Sequence, residues 1–267
     1  MLSPEALTAH SVERGMPRGK ARGAAREYLH VIILKEIFRR KPSDALLFLG
    51  GTALRLGYGL QRFSEDLDFD AEGLSSREWQ RLLGEAAHAL AGAGFEVSLK
   101  LREKGRLLAG EMRFGGFLQS YGVSASPGEK LMVKLEANRP GWRMTAEPRV
   151  ISGYGELFPA RFASPGLLFA EKIGALRERR QGRDIYDVFF MAGLKWRPDG
   201  AVLKARGAGT DAAGAVVGRV RQWDTRDLAR MARALDPFLF ESSGASMVAR
   251  AHELLPGALA YLAERRG

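Results

Sequence analysis

The sequence predicts an α/β (α+β) chain, a twisted mixed sheet flanked by helices and followed by a helical C-terminal part. Three observations predict it. Short apolar segments alternate with acidic or polar residues at period two between residues 45 and 136, capping signals set these apart from stretches of helical period, and beyond Phe158 the helical period takes over. At 267 residues the chain can bury one sizeable core, or a core with a helical annex. The expected division is a basic flexible arm over 1–24, a sheet-bearing core over 25–160 and a helical domain over 161–267.

Residues 1–24 mix Gly, Arg and Pro without a sustained apolar period, which predicts the arm. From Ala25 to about Lys41, Tyr28, Ile32, Leu34, Ile37 and Phe38 form a helical stripe that Pro42 and Ser43 stop. Ala45 to Leu49 is a strand running into Gly50-Gly51-Thr52, and Ala53 to Tyr58 is a short helix. In Phe63 to Asp70, Leu67 and Phe69 alternate with Asp66, Asp68 and Asp70, as in a strand with one buried face. Ser75 and Glu78 make a capping box for a helix that reaches about Ala91 and ends at Gly92 or Gly94.

Phe95 to Leu101 and Arg106 to Phe114 read as strands, and the Gly-rich stretch 115–128 carries a weaker signal. In the strand Leu131 to Glu136, Leu131, Val133 and Leu135 share one face and Lys134 and Glu136 the other. Ser164-Pro165 opens a helix to about Arg180, Gln181-Gly182 breaks it, and Arg183 to Gly193 forms the next. Residues 198–218 predict a loop or a loosely packed helix, and Thr225 to Leu235 and Ala245 to Glu264 predict closing helices.

Composition removes several classes of chemistry. The chain has no cysteine, which excludes disulfides, thiolate zinc sites and a cysteine nucleophile and leaves any metal to oxygen or histidine. No apolar run approaches the roughly 18 residues of a membrane span, and no secretion signal opens the chain, so a cytoplasmic protein without a membrane partner is expected. The net charge of +10 suits a polyanion such as RNA or a nucleotide. An arginine-rich, alanine-rich composition of high-GC origin explains the same excess. His10, His30, His88 and His252 form no ligand spacing and receive no role.

Asp66 and Asp68 on one strand face stand about 7 Å apart at their Cα atoms and need a counter-charge. Magnesium, with manganese as a substitute, takes one or two carboxylates together with water and substrate phosphates, which makes a nucleoside triphosphate (NTP) the natural co-ligand. Glu136 is the candidate third carboxylate. The backbone of Gly50-Gly51-Thr52, with the Thr52 hydroxyl and the helix N-terminus, could cradle a phosphate. Each signal alone also describes a structural turn or a solvated acidic face. Lys134 beside Glu136 likewise reads as a phosphate contact or as a cross-strand ion pair.

Taken together, GGTALRLGYGLQRFSEDLDFD resembles the DNA polymerase beta type of minimal nucleotidyltransferase, and GGTAL…RFSEDLDF resembles the AbiEii/AbiGii toxin family. A second match, FAEKIGALRERRQGRDIYDVFF, places Lys172 on a helix ahead of Asp184 and Asp187. The resemblance spans roughly residues 25–195 and implies transfer of a nucleoside monophosphate from an NTP to an acceptor, with tRNA as the acceptor and an antitoxin as the cognate partner. It implies a phosphate turn at Gly51 and Thr52, the SxD portion at Ser64 and Asp66, and a metal pair completed by Asp68. Lys172 is the implied triphosphate contact, and Asp184 the implied acidic residue of the last motif, with Asp184 or Asp187 organising the acceptor side. Asp184 also reads as a partner for Arg180 or as a helix-start charge. The competing readings are a phosphotransferase on the same fold and a non-enzymatic basic RNA-binding protein.

Overall fold

A computed structural model describes residues 1–263, and Lys104 by its backbone alone. The first 24 residues are not a flexible arm. Ser3 accepts from the Ala6 amide and opens helix α1 (Pro4–Glu13), in which Leu7 and Ser11 are buried one turn apart. Beyond it, Arg14 donates from Nε to Glu27 at 2.9 Å and from Nη1 to the Ser152 carbonyl at 2.7 Å. The apolar pattern misses this helix because few of its positions face inward and its anchors are distant in sequence.

Helix α2 (Ala21–Phe38) starts four residues earlier than expected and is enclosed on nearly all sides, with Leu29, Val31, Ile33 and Leu34 fully buried. Strand β1 (Leu46–Leu49) passes directly into α3 (Gly50–Tyr58), so the glycine pair is the first turn of the helix rather than a turn before it. Strand β2 (Asp66–Ala71) follows, and then α4 (Ser76–Gly92), whose Ser75–Glu78 capping box forms in both directions. After β3 (Glu96–Lys104), β4 (Leu107–Gly115) and the one-turn α5 (Phe117–Ser120) comes β5 (Leu131–Asn138).

The strands β6 (Ala146–Gly153) and β7 (Glu156–Ala163) have no counterpart in the sequence reading. Pro148 and Pro159 each remove a ladder donor and mask the strand pattern. The sheet nevertheless runs β3-β4-β5-β2-β1-β7-β6, with β7 parallel to β1 inside it and β6 at the edge. Antiparallel β1/β2 and parallel β2/β5 pairings make it mixed. Helices α2 and α4 pack on one face, where Phe48 and Phe69 lie 5.5 Å apart and Trp79 meets Phe69 at 6.1 Å.

Two compact units result. One comprises Met1–Gly59, Phe63–Pro140 and Ala146–Phe162; the other comprises Leu60–Arg62, Gly141–Thr145 and Ala163–Gly267. The second unit is helical, with α6 (Pro165–Glu178) capped by Ser164 as predicted, and α7 (Gly182–Gly193). The stretch expected as a loop or loose helix holds two helices, α8 (Gly200–Ala205) and α9 (Ala212–Val220), capped by Asp199 and Asp211. Helix α10 (Thr225–Leu235) matches its prediction. The expected last helix is broken at Arg250 into α11 (Ser243–Ala249) and α12 (Ala251–Leu259), and its predicted end at Glu264 lies outside the described residues. Among the described residues no helix is long and apolar enough to cross a membrane.

Candidate active site

The pleat of β2 turns Leu67 and Phe69 into the core and leaves Asp66 and Asp68 on the opposite face, half-buried. Parallel register sets Lys134 beside Asp66 and Glu136 beside Asp68, and antiparallel register sets Leu49, the last residue of β1, against Asp68. The acid pair therefore meets the start of α3. Gly50 there has φ +81°, and a Cβ on it would lie 2.9 Å from the Asp68 Cβ. Glycine is needed for two reasons, a left-handed backbone and direct contact with the carboxylate-bearing side chain.

Gly50→Ala is accordingly expected to cost about 2 kcal/mol or more of stability and to displace Asp68. Urea unfolding together with a transfer assay checks this. An unchanged midpoint with full activity would contradict the close approach.

The N-cap of α3 is Leu49, whose side chain makes no capping bond, so the first amides of this nine-residue helix receive no side-chain acceptor from it. Those amides and the positive end of the helix dipole attract an anion beside the acid pair. Thr52 has another task than the expected phosphate contact. It is buried, and its hydroxyl donates to the Asp66 carbonyl at 2.6 Å, tying α3 to β2. Ser64 lies half-buried in the loop two residues before Asp66.

His30, given no role by its spacing, reaches this loop from α2. Its Nε2–H donates to the Glu65 carbonyl at 3.2 Å, while Arg26 pairs with the Glu65 carboxylate at 2.7 Å. Successive carbonyls, those of Glu65 and Asp66, are thus gripped from α2 and α3, which orients the first aspartate. Only burial reveals this function, and no sequence spacing marks it. Burial first, and then the nearby Arg26 charge, lower the His30 pKa to about 3.

The unfolded chain takes up this proton near pH 6.5, whereas the folded protein does not until about pH 3, so stability falls as pH falls between those values. The expected contribution is about 1.4 kcal/mol per pH unit. It is read as a shallower pH dependence of the unfolding midpoint between pH 4 and 6 in His30→Gln than in the unaltered protein. Identical slopes would refute it.

Among the described residues no three acidic or histidine side chains converge into a metal cage. Glu136 stands one strand spacing from Asp68 in the parallel register, on the same face of the sheet. Two carboxylates still fit magnesium, which binds through one or two of them and takes its remaining oxygens from water and phosphate.

Lys172, Asp184 and Asp187 come together in the helical unit. Lys172 Nζ lies 2.7 Å from Asp187 Oδ2 and 3.5 Å from Asp184 Oδ1. Arg62 donates two bonds of 2.7 Å to Asp187, and Arg179, not Arg180, donates two to Asp184 at 2.8 and 2.9 Å. Both aspartates are fully buried, and Lys172 is 8% exposed. Burial tends to raise the Asp187 pKa, but the Arg62 and Lys172 charges outweigh it and hold the carboxyl below its ordinary value. The expected ligand-binding role of Asp187 is thereby corrected: a carboxylate so enclosed and so fully bonded organises cations.

A mixed sheet with paired aspartates beside a glycine-opened helix defines the nucleotidyltransferase class of enzymes. Three solved structures share the fold. An H. pylori protein described as a nucleotidyltransferase superposes with TM-score 0.60 at 22% identity, covering 91% of this chain and 99% of its own. JHP933 from Helicobacter pylori gives 0.53 at 21%, covering 90% and 94%. MenT4, a nucleotidyltransferase toxin from Mycobacterium tuberculosis H37Rv, gives 0.54 at 20%, covering 99% and 100%. No curated protein matches the chain. The family model of the nucleotidyl transferase AbiEii toxin, type IV toxin-antitoxin system, matches residues 32–242, and the chain belongs to that family. It is a nucleotidyltransferase toxin, and membership implies an NTP substrate and an antitoxin partner.

Proposed function

We propose that this enzyme transfers a nucleoside monophosphate from an NTP to RNA, with tRNA as the acceptor, in the cytoplasm and with magnesium or manganese held by Asp66 and Asp68. The observation that carries the reading is the contact between Asp68 and Gly50 at the opening of α3, which joins a cation site to an anion site. The Gly50 and Gly51 amides receive the triphosphate, and Lys134, exposed beside Asp66, adds a positive charge. Thr52 and His30 hold the strand start, and Ser64 lies next to it. Lys172 and Asp184 pair with each other within the helical unit.

The metal, when bound, neutralises phosphate charge and favours the ionised acceptor hydroxyl. The acceptor oxygen forms a bond to the α-phosphorus, the bond to the bridging oxygen of the β-phosphate breaks, pyrophosphate leaves, and the hydroxyl proton passes to solvent. The test is incubation with total tRNA, magnesium and each α-labelled NTP, beside γ-labelled NTP. Label in tRNA from the α position alone supports the reading. Label from the γ position identifies a phosphotransferase, and salt-sensitive binding with no transfer identifies an RNA-binding protein.

A further inference from the structure

The sheet face bearing Asp66 and Asp68 continues across β5, β4 and β3, and the register arranges its side chains in rows. Asp66 is followed by Lys134, Glu111 and Lys100; Asp68 by Glu136, Ala109 and Arg102. A third row holds Met132, Arg113 and Ser98. The helices pack on the other face: a Cβ on Gly110 of β4 would meet Leu83 of α4. Lys100, Arg102, Arg113 and Lys134 are all exposed. Strands lie about 4.8 Å apart, so the row from Asp66 to Lys100 spans about 14 Å.

Glu111 sits among these cations with its pKa lowered, first by the hydrogen bond that Arg113 donates at 2.9 Å and then by the Arg102, Arg113 and Lys100 charges. Beyond the acid pair the strip thus carries four cations, Lys134, Lys100, Arg102 and Arg113, against two carboxylates, Glu111 and Glu136, and its positive charge lies on the β3 and β4 side. Its uncharged members are Ala109, Ser98 and Met132, with none of the aromatic or aliphatic centre that a folded protein partner requires. Exposed cations spaced along neighbouring strands suit a solvated phosphate backbone.

We propose that the strip is the path of the acceptor: a single-stranded RNA end lies across β3, β4 and β5, its phosphates on Lys100, Arg102 and Arg113, and its terminal hydroxyl reaches Asp66 and Asp68. This rests on the proposed transfer to RNA. The test compares K100Q/R102Q/R113Q with R226Q/R230Q/R233Q, which removes equal charge from exposed positions of α10. Binding of fluorescein-labelled single-stranded RNA is followed by anisotropy over a range of NaCl concentrations, and binding of magnesium ATP by calorimetry.

The strip variant is expected to bind RNA about tenfold or more weakly, and its log–log salt slope to fall by about 2, at about 0.7 per phosphate contact. The α10 variant should keep the slope, and both should bind ATP as the unaltered protein does. Equal weakening by both variants, or none by the first, would overturn the proposal. So would loss of an acidic protein partner from the strip variant with RNA binding intact. Strip-dependent RNA binding without labelling of RNA would keep the path and remove the transfer reading.

Discussion

Asp66→Asn is expected to lower nucleotidyl transfer by at least about 10³-fold, because a bound metal contributes several kcal/mol of charge stabilisation in the transition state. The fold should survive. Asp66 is half-buried and asparagine keeps its shape, so the thermal midpoint should stay close to that of the unaltered protein. The Asp66 carbonyl, which accepts from Thr52, is backbone and is untouched by the change. A transfer assay, a melting curve and manganese binding read by paramagnetic resonance separate the possibilities. Retained transfer with retained manganese binding would refute the metal assignment; loss of both at unchanged midpoint supports it. Loss of the fold would show that the acid pair is structural.

Asp187→Leu is the second large effect, an expected loss of about 3–5 kcal/mol in the helical unit. The substitution leaves the Arg62 guanidinium, 2% exposed, and the Lys172 ammonium without their shared carboxylate. The double variant R62M/D187L should lose less than the sum of its parts, because the arginine bonded to Asp187 is removed together with it. Three of the four tryptophans, Trp142, Trp196 and Trp223, belong to the helical unit, so fluorescence during urea unfolding reports on it. Acid acts on the same cluster. The folded Asp187 pKa lies below the unfolded one, so its contribution is present above the ordinary carboxylate range and is lost as pH falls through the lowered value. Additive single-variant losses would show that the ion pair is not a coupled element.

The alternating aspartates, the Ser75–Glu78 box and the Ser164-Pro165 helix start were legible in the sequence because each rests on local rules. A pleat separates Asp66 and Asp68 from Leu67 and Phe69 whatever surrounds them, and a cap satisfies amides three residues away. The helix α1 and the β6–β7 hairpin were not legible. The first has few inward positions and is held by Arg14 across the chain to Glu27 and Ser152. The second carries prolines that hide a strand until β1 offers it a partner.

Tertiary structure alone decided what the polar residues do. From sequence, Asp187 is a ligand candidate, Thr52 a phosphate contact, Glu136 a third metal ligand and His30 nothing. Packing buries Asp187 between Arg62 and Lys172, directs the Thr52 hydroxyl to a backbone carbonyl, sets Glu136 beside Asp68 and places His30 against Glu65. The sequence by itself determined where the carboxylates and the glycines stand along the chain. Which of them face one another depends on register and burial, set by contacts between residues tens of positions apart that no local pattern encodes.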